Sequence, residues 1–309
     1  MVNNIKIYKN FNIRKEHQNS IILIGNFDGF HLGHQKLFKL ATKYKNKNKL
    51  KLGVITFDPI PKMFFNKKNK NYRLSNLSQK IEHFENFNVD FVINKKFDLK
   101  FTKTKYYIFI RDILFKKLKS KFIFVSSNFK FGNNREGNVV SLKNFQNRFG
   151  YKVIQPKPLI KQKKIISSTL IRKYLMRGKL RTANKYLNRN WCIEGIVERG
   201  RKLGKKIGFP TCNIDINNYV IALPGVYSVR ALINSNKKYI SGIANLGYRP
   251  TFKQKKVLLE VNLFNFNKNI YNKKLSVEFL KFIRGEKKFS GIASLRKQIK
   301  KDIKLAKKL

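Results

Sequence analysis

Along the first 187 residues, short apolar runs alternate with stretches whose apolar residues recur at helical spacing. The runs IILIG (21–25), LGVITF (52–57), VDFVI (89–93), FIFVS (122–126) and YKVIQ (151–155) are nearly continuous, as strands buried on both faces are. Between them, 33–46, 78–87 and 103–118 carry the 3.6-residue period of amphipathic helices. Strands separated by helices predict a parallel sheet covered on both faces, an α/β domain. SSTLIRKYLMRG (167–178) predicts one more helix, capped by Ser or Thr and stopped by Gly178. After Tyr186 the texture changes. WCIEGIVE, NYVIALPGVYSVRALI, KKYISGIANLG, VLLEVNLFNF and KLSVEFLKFI follow one another with Gly or Asn between them and no helix. Such a series predicts an antiparallel sheet or small barrel. Leu295, Ile299, Ile303 and Leu305 then predict a terminal helix. The expected domains are 1–187 and 188–309.

Composition changes this picture little. The chain has 309 residues, 42% of them apolar, enough for two ordinary cores. No run is long and apolar enough to span a bilayer, and the start lacks a signal-peptide pattern, so we expect no membrane and a cytoplasmic location. Cys192 and Cys212 have neither metal-ligand nor redox spacing. Charge is the outlier: 69 Lys and Arg against 16 Asp and Glu, formally +53. Such a surface attracts nucleotides and raises the possibility of an RNA-binding protein. The cations are mostly Lys, however, spread over the whole length among Asn, Ile and Phe, with no confined patch. A compositional bias toward these residues accounts for that better than a dedicated nucleic-acid partner does.

Two of the four histidines, His31 and His34, stand in GNFDGFHLGH, where the first strand passes into a helix. A helix start offers unpaired N–H groups and a positive dipole end, which suit a phosphate. Two surface histidines capping a turn would look the same, and short motifs match by chance. The neighbours favour a ligand. Gly25, Gly29 and Gly33 let backbone approach closely, and the candidate ATP-binding turn comprises Gly25, Asn26, Phe27, Asp28, Gly29 and Gly33. TFDPIP (56–61) leaves the next strand at the same carboxyl edge, and ISSTLIR (166–172) adds Ser167, Ser168, Thr169 and Arg172 at another helix start. Asp28 either orients the turn or touches the ligand. Imidazoles, hydroxyls, an arginine and helix starts, with no activated nucleophile among them, fit nucleotidyl transfer. There an ionised phosphate attacks the α-phosphorus of a nucleoside triphosphate, and His31 and His34 would donate to the developing charge.

The second candidate is GIVERGRKLGKKIGFPTCNIDI (195–216). It is either a solvated basic loop or a flap in which Gly200, Gly204 and Gly208 fold over phosphates. Thr211 and Asn213 alternate on an incipient strand, share a face, and offer hard oxygens to Mg²⁺ carried with ATP. A kinase acting on an alcohol also needs a base. Glu260, inside an apolar strand, is the candidate, although alternation alone leaves its facing open.

GNFDGFHLGH, TFDPIP, FVSSNFKFGNNREGN and ISSTLIR, in this order, resemble the adenylyltransferase half of the bacterial bifunctional riboflavin kinase/FMN adenylyltransferases, the FAD synthetases. GFPTCN, LPGVYSV, GIANLGYRPTF, LEVNLF and FIRGEKKFSGIASL resemble their kinase half. The resemblance implies a Rossmann-like nucleotidyltransferase domain followed by a small antiparallel β-barrel with a C-terminal helix. It also implies riboflavin, FMN and ATP as small-molecule substrates, Mg²⁺ with ATP, and FAD as product. Asn128 then joins the ATP site, Thr211 and Asn213 the Mg²⁺-ATP site, and Arg284 the flavin site, with Glu260 as base. Ile60 stands where relatives commonly have His, and Ser126 where Gly is frequent. A chain keeping only the kinase, its first half eroded to a scaffold, is the rival within the same chemistry.

Overall fold

In a computed structural model, the described residues are 5–66, 70–199, 204, 207–216, 218–234, 238–250 and 255–308. They form two compact units, residues 1–69 with 77–167, and residues 70–76 with 168–309.

The first unit is built on a six-stranded parallel sheet. Its spatial order is Lys6–Tyr8, Phe91–Lys96, Leu52–Asp58, Ile21–Ile24, Phe122–Phe124, Lys152–Ile154. Alternation across the pleat divides the apolar runs between two cores. Ile22, Ile24, Ile55 and Ile93 pack with Phe109, Ile110 and Leu114 on one face. Ile21, Leu23, Val54 and Val92 pack with Leu37, Phe38 and Phe84 on the other. All five predicted strands are present. The edge strand Lys6–Tyr8 is additional, and its half-exposed Lys-Ile-Tyr pattern gave no apolar run to read. The helix expected over 103–118 begins later, at Tyr106, after a separate turn. Asp98 caps a short turn, Leu99–Thr102, by accepting from Phe101 N at 2.8 Å. A second helix then starts at Tyr106 and is wound with wider turns over Phe109–Lys117.

In the second unit, helices Ser168–Met176 and Leu180–Leu187 precede a closed antiparallel barrel. Its strand order is Trp191–Glu198, Cys212–Asp215, Lys255–Leu263, Ile240–Pro250, Gly225–Ile233, Lys274–Gly285, and the last pairs back onto the first. Helix Ile292–Lys307 follows. The packing division differs from the boundary expected near residue 187, because the two helices before it bind barrel residues. Leu223 N donates to Leu175 O at 3.0 Å. Asn184 Nδ2 donates to Phe279 O at 2.9 Å, while its Oδ1 accepts from Trp191 N at the same distance. Segment Lys70–Asn76 also belongs here. The Tyr72 and Arg73 amides donate to Asn218 O at 2.9 and 2.7 Å, and Trp191 Nε1 donates to Leu74 O at 3.1 Å.

Candidate active sites

In the first unit the strand order reverses beside Ile21–Ile24. The chain steps from it to Leu52–Asp58 on one side and later places Phe122–Phe124 on the other. Ligands of open α/β sheets bind in the crevice beyond the carboxyl ends at such a switch point. Turn 25–31 and loop 125–129 leave the sheet there.

The turn is conformationally costly. Phe27 (φ 47°), Gly29 (φ 74°) and Phe30 (φ 34°) lie on the left-handed side, which costs a non-glycine residue roughly 1–3 kcal/mol. Both phenylalanines are buried against Phe38 and Phe84, and a buried Phe ring contributes about 1.5–3 kcal/mol, enough to offset that strain. The aromatic rings therefore fix the path of the turn that delivers the histidines.

His31 is the N-cap of helix Leu32–Asn48, and its Nδ1 accepts from Gly33 N at 3.2 Å. A ring nitrogen that accepts carries no proton, so the hydrogen of neutral His31 sits on Nε2 as a donor. The side chain is only 5% exposed. His34 stacks on it with centroids 3.7 Å apart and planes 20° off parallel. Gly33 permits this, since a Cβ there would stand 3.1 Å from both Cε1 and Nδ1 of His31. The same point lies 3.4 Å from Ile166 O, so the chain approaching Ser167 runs beside the histidine turn. Asp28 is buried in the turn. Across the crevice, Ser126 Oγ and Asn128 Oδ1 are 2.9 Å apart and exposed. Ile60 is buried at the start of the short helix Pro61–Phe65, an apolar side chain without a donor.

Ser168, Thr169 and Arg172 fall in the helix that packs with the second unit. The Arg172 guanidinium lies 3.6 Å from the Tyr72 ring centroid, and its Nε donates to Tyr72 O at 2.7 Å. That engagement was not legible from the motif.

The second unit contains a cavity of about 370 Å³. Thr211, Asn213, Glu260, Gly204 and Arg284 all line it, although they come from three separate stretches of chain. Barrel register aligns three of its polar residues. Asn213 and Asn245 are the cross-strand partners of Glu260 on either side. This resolves the facing of Glu260, whose carboxylate side looks into the cavity. Asn213 is 6% exposed, and its Oδ1 is buried without a hydrogen-bond partner. An orphaned amide oxygen beside a hydroxyl and a carboxylate fits a hard cation brought in with phosphates. The flap closes by a turn of its own, with Phe209 N donating to Gly204 O at 2.8 Å and Gly208 at φ 85°. Gly200 lies outside the described residues. Beside the site, burial pushes the Cys212 thiol up to about 11, so it stays protonated and inert near neutrality. Arg284 is held by buried Asp302, with Nε at 3.0 and 3.1 Å from the two carboxylate oxygens and Nη2 at 2.7 Å from Oδ2.

The family model for FAD synthetase matches residues 13–170, and that for riboflavin kinase matches residues 187–309. Bifunctional riboflavin kinase/FMN adenylyltransferases from Buchnera aphidicola subsp. Schizaphis graminum and Haemophilus influenzae are 41% and 39% identical. These matches cover 96% and 94% of this chain, and the same shares of the two relatives. The chain belongs to this bifunctional family. It is a transferase of flavin cofactor biosynthesis, phosphorylating riboflavin to FMN with ATP and adenylylating FMN to FAD with release of pyrophosphate. A crystal structure from Streptococcus pneumoniae, described as a macrolide-efflux protein, is similar with a TM-score of 0.86 and 28% identity over 98% of each chain. Efflux is said of that protein alone. Among the described residues here, no helix is long and apolar enough to cross a membrane.

Three polar residues at these two sites had not been singled out from sequence. Asn245 and Asp302 line the barrel cavity. Lys80 is buried beneath the histidine turn, where its Nζ donates to Thr56 Oγ1 at 3.0 Å and to Asn26 O at 3.3 Å. One signal was available for Lys80. It precedes Phe84 by four residues and so shares the inward face of its helix.

Proposed function

We propose that adenylyl transfer takes place at the turn 25–34 and phosphorylation in the barrel cavity. In the first unit, Gly25, Asn26, Phe27, Asp28, Gly29 and Gly33 form the cradle for the ATP phosphates. His31, through Nε2–H, and His34 donate to charge developing at the α-phosphate. An oxygen of the FMN phosphate forms the new P–O bond there as the bond to pyrophosphate breaks. Asn128 borders the nucleotide, and Ser167 serves the departing phosphates. No base is required, because the FMN phosphate is already ionised.

In the second unit, Thr211 and Asn213 hold Mg²⁺ together with the ATP phosphates, and Gly200, Gly204 and Gly208 let the flap close over them. The bound cation supplies neutralisation of phosphate charge. Glu260 accepts the proton of the ribityl hydroxyl as its oxygen attacks the γ-phosphorus and ADP leaves. Arg284 borders the flavin. What carries this assignment is the convergence of Thr211, Asn213, Glu260 and Arg284 on one cavity with an unpartnered buried oxygen among them. The substrates are small molecules in a cytoplasmic setting, and the +53 charge serves no dedicated nucleic-acid partner.

The test is a time course with riboflavin, ATP and Mg²⁺, the flavins being separated by chromatography. FMN followed by FAD is expected. FMN accumulating without FAD, even when FMN is supplied directly, would mean that Ile60 and Ser126 have left the first unit a scaffold. Salt-sensitive RNA retention without flavin turnover would overturn both assignments.

A further inference from the structure

We infer that Lys80 is a positioning residue for adenylyl transfer, acting on the histidine turn through the Asn26 carbonyl. This rests on the assignment of that reaction to the turn.

The carbonyl of Asn26 is the last backbone acceptor before the chain enters the left-handed conformations at Phe27, Gly29 and Phe30. Two donors converge on it from the next strand and from helix Leu77–Glu85. Thr56 Oγ1 lies at 3.2 Å and Lys80 Nζ at 3.3 Å, and Lys80 also donates to Thr56 Oγ1 at 3.0 Å. The three groups form a closed triangle. The ammonium donates to both of the other groups, while the Thr56 hydroxyl accepts from Lys80 and passes its own hydrogen to Asn26 O.

Lys80 is 5% exposed, which is unusual for lysine and costly in desolvation. Surface charge is plentiful in this chain, so a buried lysine is not explained by its Lys-rich composition. Its place under the turn gives it a task. The aromatic rings of Phe27 and Phe30 fix the turn from the core side, whereas the triangle fixes the one carbonyl at which the turn begins. Rotation of that peptide would swing the N–H groups of 27–33 away from a bound phosphate and present a carbonyl oxygen to it. Anchoring the carbonyl to an ammonium prevents the rotation and keeps a positive charge beneath an anion site.

The test uses the full enzyme and both of its reactions. Lys80→Met keeps the aliphatic stem and removes the donor, and Thr56→Val removes the second donor with little change of shape. FAD formation from supplied FMN should fall about tenfold in kcat for Lys80→Met and less for Thr56→Val, with the apparent Kd of ATP changed less than kcat. FMN formation from riboflavin should be unchanged, reporting an intact barrel. A loss that merely tracks a lowered melting point, and vanishes on assay well below it, would reduce Lys80 to a folding role and overturn the inference. So would an unchanged kcat in Lys80→Met. His31→Asn assayed alongside separates the two layers. If His31→Asn leaves FAD formation intact, the assignment of the turn fails. If it abolishes FAD formation while Lys80→Met does not, only the positioning role fails.

Discussion

The two proposed sites would handle phosphates with opposite equipment. The histidine turn has imidazoles, backbone amides and a buried ammonium, with buried Asp28 as the carboxylate in the motif. The barrel cavity has a carboxylate in the middle of a strand, flanked by two amides and a hydroxyl. The difference follows from the nucleophiles. A phosphate monoester arrives ionised, so its site needs only aimed donors, which must be rigid because nothing else selects the geometry. An alcohol arrives protonated, so its site must include a base and can rely on a flap to exclude water. Strain at Phe27 and Phe30 belongs to the first strategy, the glycine-punctuated flap to the second.

The contrast breaks most sharply at Glu260. Glu260→Gln should reduce FMN formation by about 100-fold or more while FAD formation from supplied FMN is unchanged. Equal loss of both activities, or of neither, would remove Glu260 as a base confined to the kinase. Next comes His31→Asn, which keeps a capping oxygen for the helix but deletes the Nε2 donor. We expect FAD formation to drop about 100-fold and FMN formation to persist, measured by the same flavin separation. Gly33→Ala sharpens the claim that rigidity matters. Its Cβ, 3.1 Å from the His31 ring, should displace that ring by a few tenths of an ångström and slow FAD formation roughly tenfold, with the kinase again as internal control.

The smallest effect concerns stability. Burial holds the His17 pKa below 6.5, outweighing the pull of Glu16 and Asp90, while Tyr8 Oη lies 2.8 Å from its Nδ1. The unfolded chain therefore binds a proton that the folded one resists, and stability is lost as pH falls through about 6.5 and below. Melting points from pH 5 to 8 should show the gap between wild type and His17→Gln widest above pH 6.5 and narrowing below it. A gap that widens on acidification would reverse the assigned sign.

Legibility in the sequence also divides between the two regions. Strands buried on both faces announce themselves as apolar runs, which is why Ile21–Ile24 and its neighbours were readable, and why a histidine pair following one pointed to a site. In the barrel strand that carries Glu260, both faces are covered. Leu258 and Leu259 are both buried, so alternation could not say which way Glu260 faces. Asn213 was readable through its spacing from Thr211, but its vacant oxygen was not, because partnership is a property of tertiary register. Lys80 was hidden for a similar reason. Lysine is so abundant here that one on an inward face attracts no notice, and its partners lie 24 and 54 residues away. Arg172 was readable as a cation but not as one stacked on Tyr72.

The chain visits the barrel's unit once, at Lys70–Asn76, long before it builds the barrel. Synthesis runs from the amino end, so Leu74 emerges 117 residues ahead of Trp191, whose indole it will receive. At roughly 5–20 residues per second, that is a wait of about 6–23 s. During it the parallel sheet can finish around a short loop whose backbone has no assigned partner yet. When the barrel forms it must take up a loop already tethered at both sides, so the later unit is assembled onto a piece supplied by the earlier one. The two halves cannot be parted by a cut at a single point in the chain.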